Sequence, residues 1–366
     1  MLSSKDLISF FKKKKISFFS GVPDSLLKNF LNVLFKEKKI VHLTAVNEGA
    51  AIALATGYYL ETKKIPLVYL QNSGLGNAIN PLVSITDKNV YSIPMVLLIG
   101  WRGSPGSNDE PQHMTKGKIT RKLLSTLNIK NIVLNSKKDF LKISSLLNYS
   151  KKKNIPVAIL VKKGLFKEEK KSLKKEFKKS VQRSLFIKNI LKIIGNNDKI
   201  VSTTGYTSRE LHQIRVQNNH FKGKDFYMVG GMGHAMSVAL GCSIISKDKI
   251  LCIDGDGSLL MHMGAITTIA NYAKQNFRYI LLNNNSHESV GGQSTNSRNI
   301  DFEAFSKSVG FQNYFIIDNK KNMKNILLKF LKNKGPSFLE VKIKIQSMNN
   351  LKRPKNLLNI KNLFMN

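Results

Sequence analysis

Two similar doubly wound α/β units, each a parallel sheet covered by helices, are the fold class that this 366-residue sequence predicts. Three observations predict it. Short β-like apolar runs alternate with amphipathic segments along the first half; the same alternation resumes after a lysine-rich break; and glycine-rich turns follow several of the runs. The chain is long enough for each half to bury a core of its own.

In order, the first half (1–164) offers strands at 17–20, 41–44, 67–70, 95–99, 131–134 and 157–161, with helical patterns at 25–35, 48–60 and 76–85 between them. Residues 162–180 read KKGLFKEEKKSLKKEFKKS, charged and free of β-branched side chains, which makes 165–182 the expected linker. Beyond it (183–366) come a helix near 184–194 and strands at 199–202, 226–229, 250–254, 279–282, 314–317 and 337–343. The halves share length and pattern without obvious identity, as a duplicated architecture would.

Charge is lopsided: 59 Lys and Arg against 23 Asp and Glu give a formal +36. Such a balance raises the alternative of a basic nucleic-acid-binding protein, whose retention on DNA would fall steeply with salt. The lysines, however, are scattered over helix faces and loops, as at 11–15 and 170–179, and are not interleaved with aromatics as an RNA-binding sheet requires. They read as solvated surface, and no nucleic-acid partner is expected. The two cysteines, Cys242 and Cys252, lie in apolar stretches and read as small core residues of a reducing compartment. No apolar run of about 18 residues and no signal-like N-terminus occurs, so the expectation is cytoplasmic, without a membrane.

The most informative stretch is 253–285, IDGDGSLLMHMGAITTIANYAKQNFRYILLNNN. If its two apolar runs are neighbouring parallel strands, their C-terminal ends lie side by side and Asp256 faces Asn284. Two oxygen donors with few carboxylates suit magnesium, which is commonly shared with phosphates. Gly255 and Gly257 let main-chain N–H groups approach an anion, with Ser258 opening the following helix.

GDGS followed by NN about 28 residues on resembles the metal and diphosphate motif of thiamine diphosphate-dependent enzymes. The resemblance implies a thiamine diphosphate-binding fold, Mg2+ with side-chain ligands Asp256 and Asn284, and the Ser286 carbonyl as a third; the third asparagine leaves Asn283 the poorer candidate. Many relatives carry a middle domain, and this chain has no room for one, which points to the short 2-oxo acid decarboxylases. NEGAAIALATG at 47–57 is similar to the segment whose glutamate bonds N1′ of the aminopyrimidine, so Glu48 is the expected activator; read from the residues alone, it is an acid favoured in a first helical turn. VGGMGHAMSVALG at 229–241 implies that the Gly230 carbonyl accepts from the 4′-amino group and that Met232 bends the cofactor. Thr207, at a helix start after strand 199–202, is a candidate diphosphate ligand or an ordinary cap.

Loops 21–25 (GVPDS), 71–82 and 100–113 follow strands, where binding residues gather. Asp24, Ser25, Asn72, Ser73, Arg102 and His113 are therefore the substrate candidates. A small, highly charged 2-oxo acid needs cationic and N–H donors, and Arg102, His113 and His287 can supply them. His113 and His287 are also candidates to protonate the carbanion left by carbon dioxide. Self-association, with active sites between chains, is a further implication of the resemblance.

Overall fold

The computed structural model describes residues 1–168, 177, 179–218 and 221–366. The chain separates into two compact units, Met1–Leu173 and Lys174–Asn366. In the first, the order is α1 (Ser4–Lys13), β1 (Phe18–Gly21), α2 (Lys28–Leu34), β2 (Val41–Thr44), α3 (Glu48–Thr62), β3 (Leu67–Gln71), α4 (Leu75–Pro81), β4 (Val96–Gly100), α5 (Pro111–Thr126), β5 (Lys130–Leu134), α6 (Phe140–Lys153) and β6 (Val157–Val161). In the second it is α7 (Arg183–Leu191), β7 (Lys199–Ser202), α8 (Tyr206–Gln217), β8 (Lys224–Tyr227), α9 (Ala235–Ile245), β9 (Ile250–Gly255), α10 (Asp256–Met261), α11 (Ala265–Tyr272), β10 (Phe277–Asn283), α12 (Phe302–Val309), β11 (Asn313–Ile317), α13 (Met323–Lys332), β12 (Ser337–Lys342) and α14 (Leu357–Met365).

Both sheets are six-stranded and parallel, ordered β2-β1-β3-β4-β6-β5 and β11-β12-β10-β9-β7-β8. Counted from its own first strand and read from the other edge, the second order repeats the first. The duplicated α/β architecture is thus present in the topology. In each sheet the direction of winding reverses beside the first strand, between β1 and β3 and between β7 and β9, and an α/β sheet opens a crevice for ligands at such a point.

Burial on both faces explains why the central strands are continuous apolar runs. In β3, Leu67 and Tyr69 join the cluster of α1, α2 and α6, while Val68 and Leu70 join that of α3 and α4. The second unit divides likewise: Leu251 and Ile253 of β9 face α7 and α13, and Cys252 faces α9 and α11. Cys252 is fully buried, whereas Cys242 on α9 is only partly so; both are free thiols.

Several boundaries differ from expectation for local reasons. The helix expected from 25 begins at Lys28, because Asp24 first ties down the Leu26 and Leu27 N–H groups at 2.8 and 3.2 Å. The helix expected over 76–85 is α4 followed by a π-type turn over Leu82–Thr86, which begins right after Pro81 and its missing N–H. The strand expected at 226–229 is β8, two residues earlier, since Met228 and Val229 lead into the glycine turn. The sequence reading places no helix at α1, α5, α6, α12, α13 or α14. Half of the expected linker lies outside the described residues; its described ends belong to the cores, with Leu165 and Phe166 buried in the first unit and Val181 in the second. Among the described residues no helix is long and apolar enough to cross a membrane.

Candidate active site

In the first unit the candidates gather where β1 to β4 end. Glu48 opens α3 behind the N-cap Asn47, whose side chain accepts from the Ala50 N–H at 2.8 Å. The Glu48 side chain, 6% exposed, accepts from Asn77 Nδ2 at 2.8 Å through Oε2. A Cβ on residue 74 would overlap Oε1, so Gly74 makes the room in which the carboxylate sits. Neither Asn77 nor Gly74 was singled out by sequence.

Asp24 is buried where Gly100, lacking a side chain, lets its carboxylate approach. Oδ2 takes the two backbone N–H groups, while Oδ1 is buried without a partner among the described residues. Burial pushes the acid up to about 6, outweighing those N–H donors and the Arg102 charge. The folded state therefore holds this proton more tightly than the unfolded chain. Its contribution to stability is complete below about pH 4 and is lost as the pH rises toward 6. Asp24→Asn removes that loss, so urea denaturation should show the variant gaining up to about 3 kcal/mol on the parent between pH 4 and 6.5. A gap independent of pH would mean that another group titrates.

Arg102 lies on a tightly folded loop. Its guanidinium forms a two-pronged pair with Asp109, through Nε to Oδ2 at 2.7 Å and Nη2 to Oδ1, and Nη1 donates to Ser25 Oγ at 3.1 Å. This Arg–Asp pair holds Asp109 well below the usual carboxylate range. With Asp109 on one edge and Ser25 on Nη1, each terminal nitrogen of this substrate candidate keeps one N–H without a partner among the described residues. Asn72, another substrate candidate, staples the loop in this structure. Its amide donates to the Arg102 carbonyl and Thr120 Oγ1, both at 2.9 Å, and accepts from the Arg102 N–H at 3.1 Å. Ser73 Oγ accepts from Gln71 Nε2 at 2.6 Å. His113 is buried in the first turn of α5, its carbonyl against Gly103.

The second unit brings its candidates together at the ends of β7, β9 and β10. Leu282 pairs with Gly255, which sets the residues after each strand side by side. The Asp256 carboxylate, 2% exposed, accepts from Thr295 Oγ1, lies 3.0 Å from Ser297 Oγ and takes the Asn284 backbone N–H. Burial nevertheless pushes it up to about 6. Asn284 Oδ1 accepts from the Ser286 N–H and Nδ2 donates to Glu288 Oε2, both at 3.0 Å. Asn283 turns instead into the sheet, toward Glu340 at 2.8 Å. Asn285, at φ 53°, turns the chain so that Ser286 follows.

Ser258 does not open α10, which starts at Asp256; its hydroxyl is a hub. It accepts from Thr203 Oγ1 at 2.9 Å and the Gly233 N–H at 3.0 Å, and bonds the fully buried Asp254. The hub ties the 229–233 turn, carrying Gly230 and Met232, to the Asp256 turn and to the loop before α8, where Thr207 is buried in the first turn. Asp254, not singled out by sequence, also accepts from the Gly255 N–H at 2.9 Å and Tyr279 OH at 3.1 Å. The His287 ring packs against Gly257, and burial holds it down at about 4, neutral at pH 7.

Among the described residues no three His, Cys, Asp or Glu side chains form a metal cluster. A carboxylate, an amide oxygen and a carbonyl are instead the donor set that a magnesium shared with a diphosphate takes. Two observations fit such a ligand: Asp256 is a buried acid that a cation would favour in its charged form, and Ser286 Oγ is buried without a partner among the described residues.

This chain belongs to the thiamine pyrophosphate enzymes. Residues 1–124 match the thiamine pyrophosphate enzyme N-terminal TPP binding domain, and residues 203–341 match the C-terminal TPP binding domain. Along nearly its whole length it is similar to phosphonopyruvate decarboxylase of Streptomyces hygroscopicus, 30% identical over 97% of this chain and 91% of that one. The enzyme of the same name from Streptomyces viridochromogenes is also 30% identical, over 97% and 92%. Sulfopyruvate decarboxylase of Methanosarcina acetivorans is 27% identical over 92% and 90%.

Proposed function

We propose that the chain catalyses the thiamine diphosphate- and Mg2+-dependent, non-oxidative decarboxylation of 3-phosphonopyruvate to phosphonoacetaldehyde and carbon dioxide, a step of phosphonate biosynthesis. The observation that carries this reading is the full-length similarity to two phosphonopyruvate decarboxylases at 30% identity. Sulfopyruvate is the second reading, because the Methanosarcina relative is close at 27%. Fusion of the two halves does not separate the readings, since that relative also spans 92% of this chain.

In this reading Asp256, Asn284 and the Ser286 carbonyl hold the magnesium. The N–H groups of Gly255, Gly257 and Ser258, with the Thr207 hydroxyl, receive the diphosphate. Glu48 would exchange a proton with N1′ of the aminopyrimidine, the Gly230 carbonyl would accept from the 4′-amino group, and Met232 would be the apolar wedge against the cofactor. When bound, thiamine diphosphate supplies the carbon nucleophile and the electron sink that 2-oxo acid decarboxylation needs. Arg102, fixed by Asp109, offers its remaining N–H groups to the phosphonate, with Asp24 and Ser25 beside it. His287, half-buried and held neutral, and His113 are the candidates to deliver the proton that replaces carbon dioxide. Self-association, each site completed by a second copy, belongs to the same proposal.

The test is carbon dioxide release from phosphonopyruvate or sulfopyruvate by purified protein with thiamine diphosphate and magnesium. The expected result is a higher kcat/KM for phosphonopyruvate, about tenfold or more. Equal or faster turnover of sulfopyruvate would overturn the choice of substrate.

A further inference from the structure

Asn284 does not stand alone behind its proposed role. Its Nδ2 donates to Glu288 Oε2 at 3.0 Å, and the same oxygen is paired with Arg183 Nη2. Arg183 Nη1 reaches Glu210 Oε1 at 3.0 Å, which also takes the Met348 N–H at 3.1 Å. The Arg183, Glu288 and Glu210 side chains are 4%, 9% and 1% exposed, so this is a buried triad of one cation between two carboxylates. All four residues lie in the second unit.

Such a triad is a poor device for stability alone. Desolvating three charges costs about as much as their attraction returns, and apolar replacements of similar shape are often no worse. Arg183 is moreover the first residue of α7, where a cation opposes the helix dipole. The arrangement does accomplish one thing well. A side-chain amide has a donor end and an acceptor end, and only the oxygen can bind a metal. A carboxylate can only accept, so Glu288 takes the NH2 end of Asn284 and, with the Ser286 N–H on Oδ1, sets the oxygen on the opposite side. Flipping the amide would set its oxygen against the Glu288 carboxylate. Arg183 in turn holds the Glu288 carboxylate through Nη2, so that the acid serves the amide and does not become a ligand itself.

We propose that Glu288, locked by Arg183 and Glu210, is a positioning residue that fixes the amide orientation of Asn284 for divalent-cation binding. The inference rests on Asn284 being a metal ligand, and the experiment separates the two ideas. Mn2+ affinity is measured by electron paramagnetic resonance in the presence of thiamine diphosphate, for the parent, Asn284→Ala, Glu288→Ala, Glu288→Gln, Arg183→Met and the double variant Asn284→Ala/Glu288→Ala. Residues that orient ligands typically shift metal affinity by about 10- to 100-fold. Glu288→Ala is expected to weaken Mn2+ in that range and Arg183→Met somewhat less. Glu288→Gln, whose amide oxygen can still accept from Asn284, should recover most of the loss. The double variant should bind no worse than Asn284→Ala, because Glu288 acts only through that side chain.

Parent-like affinity in Asn284→Ala would remove the ligand assignment itself. A weakened Asn284→Ala beside a parent-like Glu288→Ala, or losses that simply multiply in the double variant, would leave that assignment standing and overturn the positioning role. Should Glu288→Ala fail to fold, Arg183→Met decides through its own double variant with Asn284→Ala: losses that multiply overturn the positioning role, and a double variant no weaker than Asn284→Ala upholds it.

Discussion

Glu48→Gln lowers kcat by about 10²-fold or more while leaving the fold and the affinity for thiamine diphosphate close to those of the parent. The expectation follows from what the glutamine keeps and what it loses. The amide oxygen can still accept from Asn77 Nδ2, and the side chain still fits the space that Gly74 leaves, so the helix start and its packing are preserved. What disappears is an acid able to exchange a proton with N1′. Hundredfold corresponds to about 2.7 kcal/mol of transition-state stabilisation, within the usual range for a well-placed acid or base. Steady-state decarboxylation gives the first measure. The rate of hydrogen–deuterium exchange at C2 of bound thiamine diphosphate, read by quenched-flow NMR, gives the second and should fall in parallel. A variant within threefold of the parent in both would show that the activating acid lies elsewhere.

The pairing of Asp256 with Asn284 was legible because it depends on a short-range rule: adjacent parallel strands end at the same level, so a turn after β9 meets a turn after β10. The sheet order was legible only as alternation, since the sequence has no term for which strands neighbour which. The groups that hold the site residues were not legible, and their separations say why. Asn77 meets Glu48 across 29 positions, Thr295 and Ser297 meet Asp256 across 39 and 41, and Arg183 meets Glu288 across 105. Each is an ordinary polar residue until the fold brings it to a buried charge. Arg102 is a related case: its charge was legible, but its pairing with Asp109, seven positions on in a loop without periodicity, was not.

Asp256→Asn should split two properties that usually move together. Without a divalent cation the parent keeps a carboxylate that is 2% exposed and held up at about 6 by burial, with neutral hydroxyls and an N–H around it. An asparagine of the same shape keeps an oxygen for Thr295 and Ser297 and carries no charge to desolvate. The variant free of metal and cofactor should therefore melt at or above the parent temperature at pH 7.5. With thiamine diphosphate and magnesium the order reverses. A cation beside a buried carboxylate is a pair whose truncation costs about 3–5 kcal/mol, so the variant should lose Mg2+-dependent cofactor binding and about 10²- to 10³-fold in activity at subsaturating magnesium. Chelation should inactivate the parent reversibly, with Mg2+ or Mn2+ restoring it. Differential scanning calorimetry with and without the two ligands reads both halves of the expectation: a raised or equal midpoint without them, and no ligand-induced rise with them. A midpoint that rises on adding the ligands as much as in the parent would mean that the cation is held by other oxygens than those of Asp256, and the acid's burial would then need a different explanation.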